Sequence, residues 1–273
     1  MKKILLLLLI ILVFGLGIYV LRKNPQEQLK QIIYPTDYLV MTYNINHGIG
    51  TDGLYGLHRI AEVIREQAPQ IVCLNGVDNH TLRTYQDNQA RKIAAELGME
   101  FTYARNFELQ GGWHGNAILT RMPIDFSENK LFTAKNQDQT QEGVLHIIVT
   151  LNHKQVHLYT TQLNADSLVA ADEAKELLKI VLDWGVNQPV IIAGDFKLSD
   201  PNQGLHEMSY YFMDLTSHVE GKAYTYPANQ LLKGVDHIFM NDHLAPLSVA
   251  IVDNEKTQLA SNHLPVIARF RLK

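Results

Sequence analysis

Short apolar segments that end abruptly in polar residues recur along this chain, and they restrict its fold more than any other feature. In VIIAGDFK, residues 190–197, a run of β-branched residues typical of a buried strand leads into Asp195 and Lys197. Similar positions are Asn44 after LVMTY, Asn75 after QIVCL, Asp236 within GVDHIF, and residues 261–263 before LPVIARF. Any one of them is typical of a turn. Together they predict a ligand site at the edge of a rigid sheet, where strand ends converge.

Strand-like and helix-like segments alternate after residue 36. Apolar residues at helical spacing predict helices over residues 56–67, 83–97 and 166–186. Strand patterns cover residues 37–43, 70–74, 115–121, 144–151, 155–163, 189–193, 235–240, 247–252 and 264–272. Many strands, few helices and several direct strand-to-strand steps predict an α/β fold in which mixed sheets pack together under helices.

The N-terminal segment has the composition of a membrane span. Residues 4–21 are 18 residues without a charge, flanked by basic pairs at 2–3 and 22–23. As a helix they would extend over roughly 27 Å, close to the thickness of the hydrocarbon core. A cleaved signal peptide is the alternative, although no good cleavage site is present. We expect residues 1–23 to be an anchor or signal segment, 24–36 a tether, and 37–273 a domain outside the cytoplasm, secreted if cleavage occurs.

Charge and cysteine content disfavour several classes of protein. Residues 1–30 contain five basic residues and one acid; the remaining 19 basic and 27 acidic residues give residues 31–273 a net charge of −8. Such a domain repels polyanions, so nucleic acid is not an expected partner. Cys73 is the single cysteine, which excludes an internal disulfide and a cysteine-rich zinc site. It lies in an apolar strand and is expected to pack in the core.

In their order along the chain, the motifs resemble the endonuclease/exonuclease/phosphatase superfamily, the deoxyribonuclease I-like fold. The likeness runs through MTYNINHGIGTDG, LHRIAEVIREQAPQIVCL, GNAILTRMPI, AGDF, TYP, VDHIF and SNHLPV, and covers nearly all of residues 37–273. It implies a four-layer sandwich of two packed mixed β-sheets flanked by helices, preceded here by a transmembrane helix. It also implies phosphoester hydrolysis assisted by Mg²⁺ or Mn²⁺.

When the site residues of the family are matched to this chain one position at a time, the chain retains some of them and has lost others. Asn44 matches an Asn that helps hold the metal, and Asp195 matches the carboxylate of a Gly-Asp-x-Asn motif. Asp236 and His263 match an Asp–His pair, and Asn116 matches an Asn before the middle strand. The resemblance thus implies catalytic roles for Asp195, Asp236, His263 and Asn116, and metal binding by Asn44 and Asp195.

Four other positions depart from the family pattern. Gly76 stands where the family has a metal-binding Glu, and Asn262 where it has an Asp. Lys197 replaces an Asn, and Gln162 replaces a His. Since hard cations need several oxygen ligands, the losses at 76 and 262 put the metal site in doubt.

Counting charges suggests a reason for the lysine. The family site has four carboxylates, whereas this chain retains Asp195 and Asp236 and adds the ammonium of Lys197. Such a site does not need a divalent cation for charge balance. We expect Lys197 to pair with Asp195, and Lys197, His263 and Asn44 to bind a phosphate-bearing ligand. A surface lysine that points away from the site is the alternative.

Several nearby residues have two interpretations each. Asp78 lies two residues beyond Gly76 and is a candidate to replace the lost Glu. His47 either faces a phosphate or is a loop residue. Trp113 and His114 either line the cleft or belong to an ordinary loop.

Three functions therefore remain open. The first is a membrane-anchored, extracytoplasmic family member with a degenerate metal site and impaired catalysis, which binds a phosphate-bearing small molecule or lipid without a cofactor. The second is a divergent phosphodiesterase or phosphatase that uses Mg²⁺ or Mn²⁺. The third is a partner-binding module that does not use the cleft.

Overall fold

Two six-stranded mixed sheets form the centre of this computed structural model, which describes residues 37–134, 140–198 and 204–273. The first sheet has the order Leu244–Ile251 (β11), Val266–Leu272 (β12), Tyr38–Asn44 (β1), Ile71–Asn79 (β2), Gly112–Thr120 (β4) and Glu100–Leu109 (β3). The second has the order Ile124–Leu131 (β5), Gly143–Leu151 (β6), Lys154–Gln162 (β7), Val190–Asp195 (β8), Asp236–Met240 (β10) and Met213–Asp214 (β9). The pairs β1–β2 and β7–β8 are parallel and the others antiparallel.

Four α-helices in the described part of the chain accompany the sheets: Leu57–Gln67 (α1), Gln89–Leu97 (α2), Ser167–Trp184 (α3) and Glu255–Ala260 (α4). Alternate strand residues face opposite ways. Val40 of β1 and Ile191 of β8 pack between the sheets, together with Cys73, which confirms its predicted place in the core. Met41 packs in the cluster that includes α1 and α2, and Ile192 in the cluster that includes α3. The predicted architecture of two packed mixed sheets flanked by helices is confirmed.

The predicted elements differ from the structure mainly at sheet edges. β3, β5 and β9, which the apolar patterns miss, are all edge strands, and edge strands often carry charged residues in place of apolar runs. The helix predicted over residues 83–97 begins six residues later, after Asn88, whose side chain accepts a hydrogen bond from the Arg91 backbone N–H at 3.0 Å. This side-chain cap starts the helix and leaves the preceding residues in a loop.

The predicted membrane span at 4–21 and tether at 24–36 lie outside the described residues. Within the part that the structure does describe, no helix combines the length and apolar character needed to cross a bilayer.

The strand pairing brings the polar strand ends to one edge of the two sheets. Asn44 pairs with Asn75 in the β1–β2 register. Asp195 pairs with Gln162 of β7 on one side and with Asp236 of β10 on the other. The expected convergence at a sheet edge is therefore present, with contributions from both sheets.

Glu173 of α3 is a fully buried acid. Its Oε2 accepts a hydrogen bond from the Asn164 backbone N–H at 2.7 Å, and burial raises its pKa to about 8. The folded state keeps this proton while the unfolded state loses it above pH 4.5, so the free energy of unfolding should fall between pH 4.5 and 8. Each unit of pKa difference corresponds to about 1.4 kcal/mol.

We expect Glu173→Gln to remove this loss, since the amide keeps an acceptor oxygen and cannot ionise. Urea unfolding at pH 5 should give similar stabilities for the two proteins, whereas at pH 8 the variant should be more stable. Asp183→Asn, at an exposed acid on the same helix, is the control. Parallel pH profiles for wild type and Glu173→Gln would contradict the expectation.

Candidate functional site

A cleft of about 320 Å³ opens where the strand ends meet. None of the thirteen described residues that line it is acidic. Its basic members are His47, Arg83, His114, Lys197 and His263. A larger cavity of about 610 Å³ lies elsewhere and has none of the predicted site residues in its wall. The chemistry of this cleft, and not its size, identifies it as the candidate site.

Asp195 is fully buried at the base of the cleft and is surrounded by hydrogen-bond donors. Its Oδ2 accepts a hydrogen bond from Asn44 Nδ2 at 2.7 Å and forms an ion pair with Lys197 Nζ. Its Oδ1 accepts a hydrogen bond from the Lys197 backbone N–H at 3.1 Å. The sequence-based expectation that the lysine pairs with this carboxylate describes the geometry well. Only 24% of the Lys197 side chain is exposed, so it does not point away into solvent.

The two charges of this pair shift each other's protonation. Burial alone would raise the pKa of Asp195, but the Lys197 ammonium and the adjacent His263 hold it below its ordinary value. Burial alone would lower the pKa of Lys197, but the Asp195 carboxylate raises it. Both groups are therefore ionised at neutral pH. They form an ion pair in which the carboxylate is buried and the lysine lines the cleft.

Asp236 and His263 form a second buried pair beside the first. His263 Nδ1 lies 2.8 Å from Asp236 Oδ2, and both side chains are at most 2% exposed. His263 Nε2 lies 3.7 Å from Asp195 Oδ2. The ring of Tyr226 packs against the imidazole with centroids 4.7 Å apart. These contacts fix the imidazole so that Nδ1 faces Asp236 and Nε2 faces Asp195.

Hydrogen bonds fix the orientation of the Asn44 side-chain amide, because its oxygen has a donor as partner and its nitrogen has acceptors. Its Oδ1 accepts a hydrogen bond from the Asn46 backbone N–H at 2.9 Å, while its Nδ2 donates to Asp195 and to Gln162 Oε1, the latter at 3.2 Å. Gly76 lies against the amide oxygen at φ +64°, and a Cβ built on it would be 2.5 Å from Asn44 Oδ1. This orientation of Asn44 therefore depends on the absence of a side chain at residue 76.

Asn116 is fully buried and does not line the cleft, although the family resemblance implies a catalytic role for it. Its Oδ1 accepts a hydrogen bond from Asn75 Nδ2 at 2.9 Å, and its Nδ2 donates to the Gly143 carbonyl at 3.2 Å. Asn75 Nδ2 also lies 2.9 Å from the Thr161 carbonyl. These bonds join β4 and β2 of one sheet to β6 and β7 of the other behind the cleft.

Asp78 does not take the place of a missing metal ligand. Arg83 donates to it from Nε at 2.6 Å and from Nη2 at 2.8 Å, and His114 Nδ1 lies 2.7 Å from its Oδ1. Burial works to raise its pKa, but the hydrogen bonds from Arg83, His114 and Thr81 hold the pKa far below its usual range. The role of Asp78 is to hold Arg83 and His114 at the cleft wall.

The remaining predicted residues divide between the cleft and its surroundings. His114, His47, Gln162 and Asn262 line the cleft. Burial lowers the pKa of His47 to about 4, with a further contribution from Arg83, so this imidazole is neutral at pH 7. Trp113 does not line the cleft, and its ring lies beside Arg105 at 5.4 Å.

The donor set does not fit a divalent cation. Oxygens of Asp195 and Asp236 and a nitrogen of His263 lie within 4.8 Å of one another, so a small acidic cluster is present. Mg²⁺ and Mn²⁺ require several oxygen ligands. Here Asp195 Oδ2 already accepts from Asn44 Nδ2 and pairs with an ammonium that would repel a cation. The Asn44 oxygen is turned toward a backbone N–H, and Gly76 has no ligand atom in its side chain.

Arg83 is the main cleft residue that the sequence patterns do not identify, because the helix predicted over residues 83–97 includes it. The signal that could have found it is Asn88, a favourable N-cap residue that places TLRTYQ in a loop. Phe107 and Leu109 were missed because edge strand β3 was not recognised.

The fold is that of a deoxyribonuclease I-like protein. It has two mixed sheets packed together, helices outside them and a polar cleft at the strand ends. The sequence model of the Endonuclease/Exonuclease/phosphatase family matches residues 41–261, and the chain belongs to this family.

Relatives of this chain cover most of its length. The uncharacterized protein YbhP of Escherichia coli K12 is 26% identical over 254 residues, which are 86% of this chain and 96% of YbhP. An endonuclease/exonuclease/phosphatase from Beutenbergia cavernae superposes with a TM-score of 0.69 at 22% identity, covering 87% of this chain and 72% of that one. A mannosyl-6-phosphatase of Bacteroides thetaiotaomicron gives 0.69 at 14% identity, covering 85% and 99%. The likeness to the two solved structures is a likeness of fold.

Proposed function

We propose that the cleft binds a phosphate-bearing ligand without a divalent cation, and that efficient metal-dependent hydrolysis has been lost. The observation that carries this proposal is the ion pair between Lys197 Nζ and Asp195 Oδ2 at the base of the cleft. The Lys197 ammonium neutralises the Asp195 carboxylate, a role that a divalent metal ion would otherwise have.

The distribution of charge around the cleft supports the same conclusion. Asp78, Asp195 and Asp236 are 0%, 0% and 1% exposed, so the carboxylates lie behind the surface. Lys197 and Arg83 line the cleft itself. Charge-assisted hydrogen bonds from such groups are strong and suit phosphate oxygens. The resemblance to the family places acidic positions at Gly76 and Asn262, and the loss of both charges favours an anion further.

Titration calorimetry with inorganic phosphate in EDTA tests the proposal. We expect saturable binding by the full-length protein in detergent. The variant Asp195→Asn/Lys197→Gln removes the ammonium without leaving a buried carboxylate unpaired, and it should bind phosphate about 10–100-fold more weakly, the range expected for a hydrogen bond to a charged group. Asp172→Asn/Lys175→Gln, at an exposed ion pair on α3, is the matched control and should bind as the wild type does.

The proposal also predicts that Mg²⁺ and Mn²⁺ up to millimolar concentration leave the melting temperature unchanged. A ligand at a hundred times its dissociation constant would add about 2.7 kcal/mol, which a thermal melt easily resolves. A saturable metal-dependent shift that disappears in Asp195→Asn, or phosphate binding that requires metal, would overturn the proposal.

A second candidate function is divergent phosphoester hydrolysis with Mg²⁺ or Mn²⁺. The buried array of Asp236, His263 and Asp195 favours it, because a carboxylate-held imidazole is suited to general acid–base catalysis. Turnover of p-nitrophenyl phosphate or bis-p-nitrophenyl phosphate that needs added metal and is lost in His263→Gln would establish it. If neither binding nor turnover involves the cleft, the partner-binding alternative gains support.

We further propose that residues 1–23 hold the protein at a membrane, with the domain outside the cytoplasm. The support is the uncharged segment at residues 4–21, which is long enough to span the hydrocarbon core. The full-length protein should remain in the membrane pellet after carbonate extraction, and a chain starting at residue 31 should be soluble. Release of the full-length protein by carbonate would contradict a spanning anchor.

A further inference from the structure

We propose that strand β11 binds an extended segment of another protein, which adds to the first sheet as a new edge strand. Where it pairs with β11 the segment is uncharged, with apolar residues at alternate positions, and it has basic residues on both sides. None of the described residues that line the cleft lines either of the two cavities beside β11. Binding at β11 is therefore independent of what the cleft binds.

One side of β11 is open. It is the terminal strand of the first sheet, and β12 is its sole partner among the described strands. Pro246 and the register shift after it interrupt the start of the strand, whereas residues 248–251 pair regularly with β12. On the other side, the outward-facing backbone N–H and C=O groups of residues 248–251 have no hydrogen-bond partner in the described part of the chain. Such groups pair readily with another extended chain.

The other three edge strands of the described sheets are protected. β3 and β5 contain three charged residues each. They also contact each other, since Asn129 Nδ2 donates to the Arg105 carbonyl at 2.9 Å and Thr102 Oγ1 lies 3.0 Å from Ser127 Oγ. β9 is only two residues long. Charge, cover and short length are the usual protections of a sheet edge. β11, in contrast, has eight residues, none of them charged, and after Leu244 all are half-buried or exposed.

A groove beside β11 gives room for an added strand. A cavity of about 400 Å³ is lined by residues 246–249 of β11 and by four residues from the segment 213–220, which includes β9. It shares Met213, His218 and Pro246 with the cavity of about 610 Å³, so the two form one groove. Met213, Leu247 and Tyr210 are exposed in its walls. These side chains favour an occupant that places apolar side chains against them.

Charge favours a different protein over a second copy of this chain. Asp242 lies two residues before β11 and Asp253 two residues after it, and both are exposed. A two-fold pair of copies would join the two β11 strands antiparallel and bring Asp242 of each chain close to Asp253 of the other, where like charges are destabilising. Glu220 adds a carboxylate to the groove wall, in which Lys273 is the single described lysine or arginine. Basic residues beside the paired segment would complement these acids.

A pair of synthetic peptides tests this docking site. The peptide KKVTVTVTKK, blocked at both ends and labelled with a fluorescent dye, has a β-forming core and basic flanks, and EEVTVTVTEE has the same core with acidic flanks. Fluorescence anisotropy with the full-length protein in lipid discs should show saturable binding of the basic peptide. The acidic peptide should bind about 10-fold more weakly or less, because its flanks meet like charges. Absence of saturable binding by the basic peptide would overturn the proposal.

Backbone methylation distinguishes strand pairing from other modes of binding. N-methylation of every Val and Thr in the basic peptide retains its side chains and charges but removes the N–H groups that would pair with β11. This peptide should lose saturable binding, whereas N-methylation of the flanking lysines alone should leave binding unchanged. Equal binding of the core-methylated and unmodified peptides would overturn strand addition. The comparison uses the wild-type protein and so does not depend on the folding of any variant.

Leu247→Asp makes the test specific to β11. The added carboxylate would strengthen a purely electrostatic association with the basic peptide. It should instead weaken strand docking by about 10-fold or more, because a charged group then lies in the apolar groove. Leu131→Asp, at a leucine of edge strand β5 with similar exposure, is the matched control and should bind the peptide as the wild type does. Tighter binding by Leu247→Asp would contradict docking at β11.

Sedimentation velocity of the full-length protein in detergent distinguishes a second copy from a different protein. We expect a monomer at all concentrations in the absence of peptide. A dimer that dissociates in Leu247→Asp but not in Leu131→Asp would overturn the proposal, because β11 would then pair with another copy of this chain.

Discussion

Replacing Lys197 by methionine should destabilise the domain by about 3–5 kcal/mol, the range found when one partner of a buried ion pair is removed. Asp195 is fully buried, and the substitution leaves its carboxylate with Asn44 and a backbone N–H as its hydrogen-bond donors among the described residues. For a domain of this size each kcal/mol shifts the melting temperature by about 2–4 °C, so a fall on the order of 10 °C is expected. Thermal and urea unfolding monitored by circular dichroism measure it.

Two comparisons make this result specific. Lys175→Met, at an ion pair with 55% of the lysine side chain exposed, should change stability by less than about 0.5 kcal/mol. Adding Asp195→Asn to Lys197→Met should recover most of the loss, since the buried charge is then gone. A Lys197→Met protein as stable as the wild type would mean that the pair is not formed in solution, and the proposed function would lose its main support.

Gly76→Ala should cost about 2–4 kcal/mol, far more than the same change at Gly98. The two glycines have nearly the same backbone conformation, with φ of +64° and +63°. Placing an alanine in this left-handed region therefore destabilises the protein by about 1 kcal/mol at either position. The two positions differ in the room available for a side chain. A Cβ at Gly76 would be 2.5 Å from Asn44 Oδ1, whereas one at Gly98 meets nothing within 4 Å. The difference between the two variants in urea unfolding measures the contact with Asn44.

A double-mutant cycle identifies the source of this cost. If the clash with Asn44 is responsible, Gly76→Ala and Asn44→Ala should be coupled by more than about 0.5 kcal/mol. Equal losses in Gly76→Ala and Gly98→Ala, with no coupling to Asn44, would show that the loop around Gly76 adjusts freely.

This arrangement also bears on whether a metal site can be restored. Gly76→Glu, Lys197→Asn and Asn262→Asp together would return the acidic positions that the family resemblance implies. A side chain at 76 must displace the Asn44 amide, which in turn binds Asp195 and Gln162. The three substitutions should therefore give little gain in metal affinity unless Asn44 also changes its orientation.

The sequence by itself determined the layered architecture and the residues at its central strands. β1 and β8 were predicted because buried central strands have continuous apolar runs that need no knowledge of their neighbours. The pairing of Lys197 with Asp195 was also accessible from sequence, since the two residues are two positions apart in the chain and opposite in charge.

Only the tertiary structure decided which polar groups face the cleft and which lie behind it. Asn44 and Asp195 are 151 residues apart and meet because two sheets pack together. Asn116 joins the sheets out of reach of the cleft, and Asp78 is occupied by Arg83 and His114. Local patterns report burial and periodicity, whereas the partner of a polar side chain depends on which distant strands become neighbours. The sheet packing therefore made this edge a cleft with cations on its surface and carboxylates behind them.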